Sequence, residues 1–122
     1  MISKLRPVFI VLLIFITAAV AYYKIWLSDK YIVPIMMYHH INDSAKKSTE
    51  NVVSPASFAK QMGFLKRHGY QVISLDQLVN MINENIPLPK KGVVITFDDG
   101  YEDNYTFAFK TLKQYGFPAT IF

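Results

Sequence analysis

The amino-acid sequence predicts an α/β fold, the N-terminal part of a (β/α) barrel, preceded by a transmembrane helix. Three observations carry that expectation. An uncharged run opens the chain, strand-like and helix-like segments then alternate, and the most apolar strand runs into Asp98-Asp99-Gly100. The alternation reads strand, helix, strand, helix, strand, helix, strand, which is how parallel sheets are built, because parallel neighbours need a crossover between them. Only 99 residues follow Tyr23, whereas a closed barrel of this kind takes ~200 or more. A partial barrel is therefore expected, the first half of a domain. The expected divisions are a cytoplasmic N-terminus (1–6), a signal anchor (7–27), a connector (28–32) and a partial catalytic domain (33–122).

The first segment is read from its charges. Lys4 and Arg6 precede "PVFIVLLIFITAAVAYY", uncharged from Pro7 to Tyr23. Continued through Lys24 to Leu27, it would span roughly 30 Å as a helix, one hydrocarbon core. Tyr22, Tyr23 and Trp26 suit the interface, and Lys24 can reach the headgroups. No face is polar, so a buried core helix is not the expectation. The run exceeds the usual ~7–15 residue core of a cleaved signal peptide, which favours a retained single-pass anchor in the cell membrane. Cleavage after Ala19-Val20-Ala21 and secretion is the alternative. Either way Lys4 and Arg6 hold the N-terminus inside and the remainder is exported.

Thirteen basic residues stand against nine acidic ones, a net charge of +4. The lysines are scattered or paired, as in Lys46-Lys47, Lys66-Arg67 and Lys90-Lys91, and do not make a nucleic-acid stripe. The chain has no cysteine, which removes a disulfide framework, a thiol nucleophile and a thiolate metal site.

In chain order, "YIVPIMMYHHI" reads as a buried strand ending near Tyr38 to His40. The polar stretch Asn42 to Asn51 is a loop. Ser54-Pro55 starts a helix whose buried face is Phe58, Met62 and Leu65, and Gly69 stops it. "YQVIS" is a short strand. Ser74 and Gln77 have capping-box spacing and open a helix carrying Leu75, Leu78, Val79 and Ile82. Pro87 and Pro89 end it. "VVITF", Val93 to Phe97, is continuously apolar and β-branched, as a strand covered on both faces must be. Tyr105, Ala108, Phe109 and Leu112 mark a last helix, closed by Gly116 and Pro118. "ATIF" begins a further strand, whose outer edge would need a cover.

The chemistry centres on the acidic pair. Residues at the C-terminal ends of parallel strands face the ligand crevice, and Asp98-Asp99-Gly100 falls there. One carboxylate could hold a cation while the other stays free as a base, the cation relieving their repulsion. Alternatively, Asp-Gly is simply a good turn former. His39 and His40, adjacent on a strand, would point to opposite faces and could not easily clamp one ion. One of them is expected at the same rim as the acidic turn, either at the site or in a structural hydrogen bond. His68, in the last turn of a helix, complements its dipole. Tyr101 and Tyr105 flank the acidic turn and could stack on sugar rings; Tyr101 is expected to be open, whereas Tyr105 is expected rather to pack in the core with its helix stripe. No glycine-rich phosphate loop appears.

The stretch "VVITFDDGYEDNYTFAFKTLKQYGFPATIF" closely resembles the first motif of the polysaccharide deacetylases, carbohydrate esterase family 4, the NodB-homology domain. "PIMMYHHI" and "SPASFAKQMGFLKRHGYQVISLDQLVNMI" extend the resemblance over about Val33 to Phe122, toward the exported branch that acts on poly-N-acetylglucosamine-type chains. It implies metal-dependent removal of N-acetyl groups from a cell-envelope or extracellular polysaccharide. It also implies Asp98 as general base, Asp99 as ligand to a divalent metal, zinc being favoured, and a polysaccharide partner. The family completes its metal site with a downstream His-x-x-x-His-type pair that this sequence lacks, and the motif supplying a general acid is missing too. The 122 residues alone are therefore expected to be inactive. A non-catalytic membrane-tethered remnant or glycan-binding module stands as the alternative.

Overall fold

The computed structural model describes residues 2–28, 32–43 and 51–122. The connector assigned to 28–32 and the loop assigned to Asn42–Asn51 lie largely outside the described residues, as do the side chains of Lys4 and Arg6. The chain divides into two units, 1–31 and 32–122.

The first unit is one helix, α1 (Ile2–Ser28), which begins before the boundary expected at Pro7. Every described side chain on it, Phe9 to Trp26, is exposed. That window is long and apolar enough to cross a membrane. The one serine or threonine in that window does not spoil the apolar surface, because Thr17 Oγ1 donates to the Ile14 carbonyl at 2.9 Å, satisfying itself within the helix. Tyr23 and Trp26 stack with ring centroids 6.1 Å apart.

The second unit is a parallel α/β layer. Its strands are β1 (Ile35–Tyr38), β2 (His40–Ile41), β3 (Val52–Val53), β4 (Gln71–Val72), β5 (Gly92–Phe97) and β6 (Thr120–Ile121). Its helices are α2 (Pro55–Arg67), α3 (Leu75–Asn83) and α4 (Phe109–Tyr115), with a π-helical turn over Asn104–Ala108 leading into α4. β5 is the centre. β1 runs parallel along it from Ile35↔Val94 to Tyr38↔Phe97. Its backbone meets β1 through even-numbered residues, as in Val94 N–H to Pro34 O and Asp98 N–H to Tyr38 O. The odd-numbered carbonyls of Lys91, Val93 and Phe97 face the other way, accepting from Gln71, Ile73 and Phe122. β4 and β6 therefore share the second edge of β5, one at each end. The α/β class is as expected. The neighbour order is not that of consecutive barrel strands, since β1 lies beside β5 and not beside β4. β2 and β3 form a separate parallel pair.

All six β5 residues are buried, as a strand covered on both faces requires. β1 departs from expectation, because Ile35 and Met37 are 53% and 60% exposed. Only the face carrying Tyr38 is packed, so its apolar run covers one side of an edge strand. Below the sheet, Tyr38, Phe58 and Phe97 form an aromatic triad with centroids 5.1 to 5.9 Å apart. The Tyr38 hydroxyl escapes burial without a partner by donating to Gln61 Oε1 at 2.6 Å. Burial alone pushes that phenol up to about 12.

The helix signals hold in detail. Ser54 caps α2, accepting from Ser57 N–H at 3.2 Å, with Pro55 in the first turn. Ser74 and Gln77 make both halves of a capping box, at 3.1 and 2.9 Å. Phe58, Met62 and Leu65 are buried as predicted, but on α3 only Leu78 is, and Val79 and Ile82 are exposed. Gly116 ends α4 with φ 66°. The final stripe is corrected: Asn104, Ala108 and Leu112 point inward, and Tyr105 is 73% exposed. The wider π turn changes the phase of the helix. Tyr105 and Phe109 instead stack on the outer face, centroids 5.4 Å apart, with Lys113 Nζ 5.9 Å from the Phe109 centroid.

Candidate functional site

The site is built where β5 stops. Phe97 is the last paired residue, and Asp98 N–H is still held by the Tyr38 carbonyl at 2.9 Å. Asp98 is half-buried, and Asp99 and Gly100 are exposed. The chain turns through two successive left-handed residues, Asp99 at φ 67° and Gly100 at φ 58°. A side chain at φ > 0 is disfavoured except for Asn and Asp, which tolerate it, and Gly pays nothing. The Asp-Asp-Gly order thus places two adjacent carboxylates at the strand end, one anchored and one carried outward on the turn.

The next residues are fastened to a distant part of the chain. Asp103 Oδ2 lies 2.9 Å from His40 Nδ1 and accepts from Asn42 Nδ2 at 2.8 Å. The Ile41 backbone N–H also faces this carboxylate and helps to lower its pKa. Burial works against the charge, but the bonds from Asn42, His40 and Ile41 outweigh it and hold the Asp103 carboxyl below its usual range. An ionised carboxylate only accepts, so His40 Nδ1 carries the proton. The His40 ring lies on that of Tyr101 with centroids 3.7 Å apart and 26° between planes. The Tyr101 hydroxyl, in turn, lies beside Asp99, whose negative charge raises its pKa. His40, Tyr101, Glu102, Asp103, Thr106 and Phe107 line an open cleft beside the turn.

Of the residues singled out in the sequence, the structure brings together Asp98, Asp99, Tyr101 and His40. Tyr101 is exposed, as expected, with one face of its ring stacked on His40. His39, between β1 and β2, is half-buried. His68 is at the C-terminal cap of α2, its Nδ1 2.9 Å from the Phe64 carbonyl. Sequence reasoning missed Asp103 and Asn42. The two meet across 61 positions, a long-range tie with no local signal in the sequence. Among the described residues no three His, Asp or Glu side chains gather as a metal-binding group. The donors present do not fit a complete metal centre.

A parallel layer with carboxylates at the C-terminal end of its central strand is the layout of a ligand-binding or hydrolytic α/β domain. Comparison with known proteins narrows it. Residues 85–122 match the family described as Polysaccharide deacetylase. The chain is 39% identical over 89 residues to YxkH of Bacillus subtilis, a candidate polysaccharide deacetylase, covering 73% of this chain and 30% of that protein. It is 35% identical over 82 residues to the poly-beta-1,6-N-acetyl-D-glucosamine N-deacetylase of Escherichia coli K12, covering 67% of this chain and 12% of that one. The solved de-N-acetylase of Aggregatibacter actinomycetemcomitans superposes with a TM-score of 0.65 at 31% identity, over 73% of this chain and 36% of that structure. The chain is related to the polysaccharide deacetylases, hydrolases of amide bonds, and corresponds to their N-terminal part. It spans less than a third of the length of these curated relatives.

Proposed function

We propose that this chain is the N-terminal part of a membrane-anchored, metal-dependent polysaccharide N-deacetylase. The observation that carries the reading is the Asp98-Asp99-Gly100 turn at the end of the buried central strand, inside the segment matched to the family. The substrate class is a cell-envelope or extracellular glycan containing N-acetylglucosamine, the kind of polymer named for the Escherichia coli relative. Asp98 is the general base. Held by its backbone to Tyr38 at a fixed strand end, it takes the proton of the water that attacks the acetamide carbonyl. The carbon–nitrogen bond then breaks, releasing acetate and leaving an amine on the sugar. Asp99 is one carboxylate ligand of a divalent ion, zinc being favoured, whose Lewis acidity would supply carbonyl polarisation. Its remaining donors are not among the described residues, so no step is assigned to it here. Helix α1 supplies the anchor or, if cut after Ala21, a signal peptide; the rest lies outside the membrane.

One observation favours the second reading, a membrane-tethered remnant or glycan-binding module: the described residues assemble no three-donor metal group. Acetate release from poly-β-1,6-N-acetylglucosamine separates the two. The native membrane-bound polypeptide is expected to turn over and its Asp98→Asn variant to lose the rate. The isolated 122-residue chain with added zinc or cobalt is expected to read blank. Undiminished turnover in Asp98→Asn would overturn the assignment of the base.

A further inference from the structure

We propose that Asp103 is a positioning residue: through the His40 ring it seats Tyr101 against the Asp99 carboxylate and so fixes the acidic turn in one arrangement. Three successive residues, His40, Asn42 and the backbone N–H of Ile41 between them, converge on this one carboxylate from a corner 61 to 63 positions earlier in the chain. That corner is itself rigid, because His40 N–H bonds Asn51 O at 3.1 Å and Asn42 N–H bonds Val53 O at 3.2 Å. The imidazole is held at its Nδ1 by Asp103, and its ring stacks on the Tyr101 phenol with centroids 3.7 Å apart. Tyr101 cannot rotate away without losing that contact.

The consequence falls on the acidic turn. Asp99 holds a left-handed backbone and sits next to a second carboxylate, two reasons for the turn to sample other conformations. Tyr101, seated on His40 directly after Gly100, keeps its phenol beside Asp99 and narrows the room in which the turn can move. The relay runs from Asp103 to His40 to Tyr101 to Asp99, and only its last member is assigned a part in the chemistry.

The functional half of this inference rests on the role proposed for Asp99, but the structural half is readable without any activity. Nitrogen-15 spectra of the full chain in detergent micelles should show His40 protonated at Nδ1, and backbone order parameters near ~0.85 at Asp99 and Gly100. In Asp103→Ala those order parameters should fall below about 0.6, with β5 amides unchanged. Tyr101→Phe should loosen the same two residues and leave the His40 signature intact. In the native polypeptide, Asp103→Asn should lower kcat on the glycan with KM unchanged. A His40 proton on Nε2 alone, or equal order at Asp99 and Gly100 with and without Asp103, would sink the relay. Order parameters that fall while kcat holds would instead remove the role given to Asp99.

Discussion

His40 and Asp103 are 63 positions apart and meet at 2.9 Å, joining the corner after β1 to the segment after the acidic turn. With the Asn42–Asp103 bond at 2.8 Å it ties the two ends of the parallel layer's rim, and the charge state of Asp103 sets a pH dependence. Because the Asp103 carboxyl is held below its ordinary value of 3.8, its stabilising contribution is complete above that value and is lost as pH falls through the lower folded one. Thermal melts of Asp103→Asn should therefore lose less Tm than the unsubstituted chain between pH 4 and about pH 2. Parallel slopes would show that the pair carries no net linkage.

Tyr38 gives the opposite sign at the alkaline end. Its phenol is raised to about 12, so folding favours the neutral form and that preference is lost as pH rises from 10 toward 12. Absorbance at the phenolate band should show a late step at about 12, and Tyr38→Phe should remove it. The same substitution leaves Gln61 without its partner and is expected to cost about 0.5–1.5 kcal/mol in urea unfolding.

Gly92 cannot take a side chain. A Cβ there would sit 2.7 Å from Pro89 Cγ and 3.1 Å from the Pro89 carbonyl, in the turn where Gly92 N–H bonds that same carbonyl at 2.8 Å. Gly92→Ala should destabilise by about 1–3 kcal/mol, seen as a lower denaturation midpoint. An unchanged midpoint would mean that the proline turn yields freely.

Asn104 is 4% exposed, and neither its Nδ2 nor its Oδ1 has a hydrogen-bond partner among the described residues. An unsatisfied buried amide costs about 1–3 kcal/mol, so Asn104→Leu should raise the Tm of this chain by about 4 °C or more. A fall instead would show that the amide is engaged in solution by a group not described.

The N-caps are the plainest case. Ser74 exchanges both capping-box bonds with Gln77, and Ser74→Ala should cost about 1 kcal/mol, with helix loss confined to Leu75–Asn83 when followed by amide exchange.

Much of this was legible in the sequence because it is written in short-range chemistry. Ser54, Ser74, Gly69 and Gly116 announce helix ends through caps and left-handed turns. Val93 to Phe97 announces the central strand by having no polar residue to spare for a wet face. The rest depends on which strand lies beside which. Nothing local says that β1 pairs with β5 and is left with Ile35 and Met37 uncovered, since its apolar residues suit either environment. The helical stripe after the acidic turn misled for a different reason. A π turn shifts the phase by a fraction of a residue position, enough to exchange Tyr105 for Asn104 on the inner face. Asp98 and Asp99 stand at the end of the central strand, where the sequence places them, but the tie of Asp103 to His40 and Asn42 is long-range and leaves no periodic trace.

The left-handed backbone at Asp99 also limits what inheritance can try at that position. Glycine, asparagine and aspartate are the residues that hold such a φ at little cost, and of these aspartate alone bears a charge. Glutamate, the change that would keep the anion, lacks the short side chain that makes the conformation bearable. A lineage drifting here must therefore either keep aspartate or forfeit the negative charge in a single step, with no gradual route through a longer acid.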